Sequence, residues 1–111
     1  MKPVVNFEEF EKLDIRVGKV LEVQAPEWSY KLLELKVDFG EEVGTKTILS
    51  GIRKWYKRED LINKKFMFIV NLAERQMGEG VSQGMMLMAL ESEKPVLVEV
   101  PEQTQEGTVV G

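Results

Sequence analysis

A chain of 111 residues with 43% apolar and 31% charged side chains is long enough for one hydrophobic core and too apolar to stay disordered. It contains no cysteine and no histidine, which excludes disulfides, thiolate or imidazole metal sites, and Cys–His or Ser–His–Asp nucleophile systems. The net charge of −4 is unevenly spread: Glu91–Gly111 carries five acids and one base, whereas Thr45–Arg75 carries eight bases and three acids. A basic zone of that kind binds phosphate locally despite a low isoelectric point. No Asp-rich spacing suits a hard cation, so no metal and no cofactor is expected. The N-terminus lacks a signal-peptide core and no run reaches the roughly 20 apolar residues of a membrane span. The expectation is a cytoplasmic protein with no membrane contact.

In chain order, Asn6-Phe-Glu-Glu9 has the spacing of a reciprocal helix cap, predicting a short helix that ends near Leu13. Phe7, Phe10 and Leu13 share one face of it and need cover. Asp14 to Gln24 predicts a long strand with Ile15, Val17, Leu21 and Val23 on one face, Val20 on the other, and a bulge or bend at Gly18. Long, bent first strands suit small closed barrels, where one strand serves both halves. After a turn at Ala25–Ser29, Leu33, Leu35 and Val37 alternate with polar residues as a half-buried strand. A second turn spans Phe39–Gly44, and Thr45–Ser50 is a short β-branched strand. Gly51 to Asn63 breaks the strand pattern, with one helical turn at Arg58–Ile62. Lys64–Leu72 is an apolar strand covered on both faces, Met85–Leu90 is a fifth strand, and Val96–Val100 a last one between Pro95 and Pro101.

The stretch Asn71–Met88 stands out. Two apolar runs flank a polar connection with glycines at 78, 80 and 84, which permit close backbone approach. Loops on a rigid sheet are where binding residues concentrate, and this one offers Arg75, Ser82 and Gln83. It is not a dinucleotide loop, because the third glycine of Gly78-Glu-Gly80-Val-Ser-Gln-Gly84 is one residue late and no helix follows. Three strands, a helical connection and two more strands give the order of an OB-fold. The predicted architecture is an all-β, five-stranded OB-fold barrel over a single domain, 1–111. It carries a short N-terminal helix, a short helix between strands three and four, and a C-terminal β extension.

Several separated stretches carry a family resemblance: Leu13-Asp-Ile-Arg-Val-Gly-Lys-Val20, Val37-Asp-Phe-Gly40, Ile48-Leu-Ser-Gly-Ile52, Asn71-Leu72 and Ser82-Gln-Gly-Met-Met-Leu87. In order and spacing they resemble the tRNA-binding domain family. That family includes the C-terminal domain or β subunit of methionyl-tRNA synthetases and stand-alone tRNA-binding proteins. The resemblance implies an OB-fold that binds tRNA by shape, without catalysis. It also implies a homodimer, in which Phe7, Phe10 and the C-terminal strand find cover, and a methionyl-tRNA synthetase as a partner. One turn departs from the pattern: where the family has His-Pro-x-Ala-Asp-Lys-Leu, this chain reads Ala25-Pro-Glu-Trp-Ser-Tyr-Lys-Leu32. That turn, Asp38–Lys46 and Tyr56–Lys64 resemble a sister branch of export-related chaperones.

The resemblance points to Asn71, Arg75, Ser82, Gln83 and Met85 as RNA contacts, extended here to Lys31 and Ser50. Arg75 offers a bidentate fork to phosphate, and Lys31 and Lys54 add point charge. Asn71 and Gln83 can pair with a base edge or a 2′-hydroxyl, Ser82 can bond at short range, and Met85 offers a polarizable surface. Each also has a plainer reading: Asn71 satisfying its own turn, Ser82 capping the loop, one of Met85 and Met86 in the core. Trp28 and Tyr30 could stack on bases, whereas Trp55 and Tyr56 suit packing of the short helix. The leading expectation is a non-catalytic tRNA-binding protein. The alternative is a dimeric chaperone holding unfolded peptides in an apolar groove lined by Trp28, Tyr30 and methionines.

Overall fold

The long first strand organises the molecule. In the computed structural model, which describes all 111 residues, β1 (Ile15–Gln24) pairs through its first half with β4 (Lys65–Ile69) and through its second half with β2 (Leu33–Asp38). β3 (Thr45–Ser50) extends the sheet beyond β2, and β7 (Met85–Met86) extends it beyond β4, giving the order β3-β2-β1-β4-β7. These five strands form the nearly closed barrel that the strand order predicted. Two hairpins stand off it: β5 (Arg75–Met77) with β6 (Gly80–Ser82), and β8 (Met88–Glu91) with β9 (Lys94–Leu97). Short helices are α1 (Phe7–Glu11), α2 (Gly40–Val43) and α3 (Arg58–Leu61), and β10 (Val109–Val110) pairs with the start of β1. No helix is long and apolar enough to cross a membrane.

The bend in β1 lies three residues later than the sequence pattern implies. The register shifts between Val20 and Glu22, so Leu21 is the bulged residue. Val20 is therefore fully buried and Leu21 is exposed, the reverse of the period-two assignment. Gly18 has a different reason: a Cβ there would come within 2.5 Å of Phe39 and Val37 side chains. The Phe39 ring needs that space, because it meets Phe68 edge-on at 5.2 Å in the centre of the core. β2 alternates as its sequence does, burying Leu33, Leu35 and Val37, while Ile52 and Leu61 from the β3–β4 connection close one end of the barrel.

Three other expectations are corrected. Asn6 makes no side-chain cap bond, and α1 buries none of its residues, leaving Phe7 70% exposed. The expected fifth strand breaks at Leu87, because β7 stays on β4 while β8 peels away with β9. Pro95 lies within β9, paired with Leu90, where an edge strand spares its missing N–H.

The acidic C-terminal segment is strapped to the barrel. Lys65, itself 8% exposed, donates from Nζ to the carbonyls of Glu102 and Thr104 at 2.6 Å each and pairs with the Glu106 carboxylate at 3.0 Å. Backbone bonds between Val17 and Gly107 and Thr108 complete the seam. Part of the charge asymmetry in the sequence is thus spent internally.

Candidate nucleic-acid interface

The stretch 71–84 is an ordered hairpin rather than an open loop. β5 and β6 pair Arg75 with Ser82 and Met77 with Gly80, leaving Gly78-Glu79 as a two-residue turn. Gly78 has φ +63°, the conformation such turns ask of their first residue. The Trp28 indole lies against this turn: a Cβ on Gly78 would be 2.5 Å from the ring, and one on Gly80 about 3.0 Å. Trp28 belongs to the turn that departs from the family pattern, and that turn is itself braced. The Arg53 guanidinium donates to the carbonyls of Pro26 and Ser29, and Ser29 Oγ accepts the Lys31 and Leu32 N–H groups at 3.2 Å. A polar turn and the hairpin that carries Arg75 are thereby held side by side.

Arg75, Lys31 and Met85 are exposed, and neither cation is engaged in an ion pair or side-chain hydrogen bond. Arg75 stands between two grooves. One, about 310 Å³, runs along Trp28, Lys31 and Gly78; the other, about 450 Å³, is lined by Ser50, Ser82, Met85 and further methionines. Met77, absent from the expected set, also lines both. Its signal was present in the sequence, since Arg75 and Met77 are two apart and so share a strand face. Ser50, Arg75, Ser82 and Met85 are therefore brought together, with Lys31 next door.

The polar loop residues Ser82, Gln83 and Asn71 are engaged within the fold. Ser82 is 3% exposed, and its hydroxyl accepts the Leu49 N–H at 3.0 Å and donates to the Gly84 carbonyl at 2.9 Å. Half-buried Gln83 accepts the Thr47 N–H at 2.8 Å through Oε1, while its own N–H donates to the Thr47 carbonyl at 2.8 Å. These side chains stand where a strand ladder between β3 and β6–β7 would be, so they close the barrel instead of facing outward. Gln83 Nε2 also donates to Glu74 at 3.2 Å. Asn71 accepts the Asp14 N–H at 2.8 Å and donates to the Lys12 carbonyl at 2.7 Å, tying the end of β4 to the exit of α1. It lines neither groove. Ser50 is 6% exposed as a residue; its hydroxyl makes no hydrogen bond within the protein and is not sealed from solvent.

Charge around the site divides into spent and free groups. Arg16 is hydrogen-bonded to Asp14 and then Glu42, which raise its pKa and hold it charged. The hydrogen bond from Lys65 holds the Glu106 carboxyl below its ordinary range. Arg53 and Lys65 serve the fold and Lys54 lies over the Trp55 ring, 5.4 Å from its centroid, whereas Arg75 and Lys31 keep free charge. An unpaired guanidinium between two open grooves on a rigid barrel suits a phosphate-bearing chain.

Small five-strand barrels with a hairpin beside one sheet face form a class of oligonucleotide and oligosaccharide binders. Within that class, the family model described as "Putative tRNA binding domain" matches residues 15–109, and the chain belongs to this family. A methionine–tRNA ligase of Phocaeicola vulgatus is 53% identical over 90 residues, which is 80% of this chain and 13% of that protein. The chain thus spans under a fifth of the length of the ligases it matches. The crystal structure of a MetRS-related protein from Pyrococcus horikoshii superposes with a TM-score of 0.92 at 35% identity, covering 99% of this chain and all of that one. A CsaA chaperone protein from Picrophilus torridus gives 0.88 at 30%, covering 97% of this chain and all of that one.

Proposed function

We infer that the protein binds tRNA without catalysing a reaction, holding the folded RNA by its sugar–phosphate chain. The reading rests on one observation above others: Arg75 is exposed, unpaired and fixed between two grooves on the face that carries Lys31. Membership of the tRNA-binding family and likeness to methionine–tRNA ligases support delivery of tRNA to a methionyl-tRNA synthetase, or chaperoning of tRNA, in the cytoplasm. Phosphate contacts make such binding general across tRNAs and sensitive to salt. A gel shift with total tRNA at low salt tests it: retardation that fades as salt rises is expected, and no retardation refutes it.

The protein acts as a homodimer in this reading. Phe7, Phe10, Leu13 and Leu72 are all at least 40% exposed, and Asn71 ties the α1 exit beside Leu72. A five-residue helix with no buried side chain has little reason to be stable alone. Sedimentation should give a dimer of 12.7 kDa chains that Phe7→Ser with Phe10→Ser converts to monomer; a wild-type monomer refutes the pairing. A second reading, a peptide-holding chaperone, is favoured by the methionine-lined groove and the likeness to CsaA chaperones. Suppressed aggregation of a denatured client, unaffected by excess tRNA, would support it.

A further inference from the structure

The larger groove beside Arg75 is built unlike a phosphate track. It forms where the end of β3, the start of β5 and the Gly84–Met88 segment meet, and it encloses about 450 Å³. That volume lies in the range of pockets that enclose small organic ligands. Its walls are soft and apolar: Leu72, Met77, Met85, Met86 and Met88. Four of the chain's six methionines therefore converge on one groove.

Two polar groups break this lining. Arg75 brings a free guanidinium to the groove's edge. Ser50 is 94% buried as a residue and lines the groove; its hydroxyl makes no hydrogen bond within the protein and, since no fully buried polar atom is left unpaired, its oxygen opens onto that space. The neighbouring Ser82 hydroxyl, by contrast, is already used twice. A hydroxyl that meets only solvent in the free protein is available to an occupant that offers it a hydrogen-bond partner.

We propose that this groove receives one unpaired nucleotide of the bound RNA, its base among the methionines, its edge hydrogen-bonded to Ser50 and its phosphate at Arg75. This assignment rests on the RNA-binding reading and adds the subsite to it. Flat π-systems gain from contact with thioether sulfur, and RNA readers splay out unpaired bases and hydrogen-bond their edges. An aliphatic peptide side chain would fill the same walls but leave the Ser50 hydroxyl unpaired and Arg75 without a counter-charge. The chemistry therefore favours a nucleotide over a peptide.

The methionines supply the probe. With methyl-13C-methionine in the full chain, adenosine monophosphate should shift the methyl signals of Met77, Met85, Met86 and Met88 and leave Met67 unmoved; ribose 5-phosphate should not reproduce the ring-current shifts. Ser50→Ala should weaken adenosine monophosphate by about threefold to tenfold, the worth of one neutral hydrogen bond, without lowering the urea midpoint. If an apolar peptide moves these signals and the nucleotide does not, the proposal is overturned in favour of peptide binding. tRNA that binds while all four signals stay fixed overturns the nucleotide pocket alone. Failure of tRNA to bind, seen separately by gel shift, overturns the RNA-binding reading itself.

Discussion

Ser82 separates a closing bond from a binding contact. Replacing it with alanine removes the acceptor of the Leu49 N–H and the donor to the Gly84 carbonyl. Leu49 is 5% exposed, so its N–H would be left in the barrel wall without water. A buried donor stranded in this way costs about 1–3 kcal/mol, while the Gly84 carbonyl, in a half-exposed residue, can turn to solvent and adds little. Ser82→Ala should therefore destabilise the fold by about 2 kcal/mol, a large share of the roughly 5–15 kcal/mol that holds a domain together. Equilibrium urea unfolding followed by tryptophan fluorescence reads it. With a slope of about 1–3 kcal/mol per molar urea, the midpoint should fall by about 1 M. Ser50→Ala is the control, since its hydroxyl bonds nothing in the fold and is not sealed from solvent, and should move stability by less than about 0.5 kcal/mol. The reasoning is refuted if Ser82→Ala leaves the midpoint unchanged while tRNA affinity falls, because Ser82 would then touch RNA and not β3.

Two further outcomes follow from other parts of the molecule. The Glu106 carboxyl is held below its ordinary value of 4.5 by Lys65, so its stabilising contribution is complete above that value and is lost as pH falls through the lower folded value. Wild type should accordingly be more stable than Glu106→Gln near neutrality and match it in strong acid; a gap that stays undiminished in strong acid would contradict the Lys65 pairing. Trp28→Ala should free the β5–β6 hairpin, raising amide exchange in that hairpin at least about tenfold and weakening tRNA binding, with Trp28→Phe restoring most of both. Exchange unchanged in the alanine variant would show that the indole does not hold the hairpin.

The barrel was legible because its strands announce themselves. β2 alternates cleanly, β3 is β-branched, β4 is apolar on both faces, and their order is that of one small barrel. The bulge was misplaced because Gly18 advertises a bend, although its role is to admit the Phe39 ring from a distant turn. The end of the fifth strand at Leu87 was invisible for a similar reason: nothing local separates Met86 from Met88, and only the competition of β4 and β9 for partners does. Among the residues expected at the site, the structure leaves the cations Arg75 and Lys31 exposed. Ser82, Gln83 and Asn71 bond backbone groups instead, which the sequence does not show, since a polar side chain in a loop looks the same whether it serves a ligand or a neighbouring backbone. Which of the two holds depends on whether an unpaired N–H lies across from it, as Leu49, Thr47 and Asp14 do here.

The salt dependence of tRNA affinity, measured for wild type and Arg75→Ala across a range of monovalent salt, bears most directly on the function. Arg75 is exposed and unpaired, so the variant should fold as well as wild type. It should bind every tRNA more weakly at low salt, and its plot of log affinity against log salt should be shallower by about 0.7–0.9, the signature of one lost phosphate contact. Equal affinity and an unchanged slope would mean that the RNA does not pass over this face.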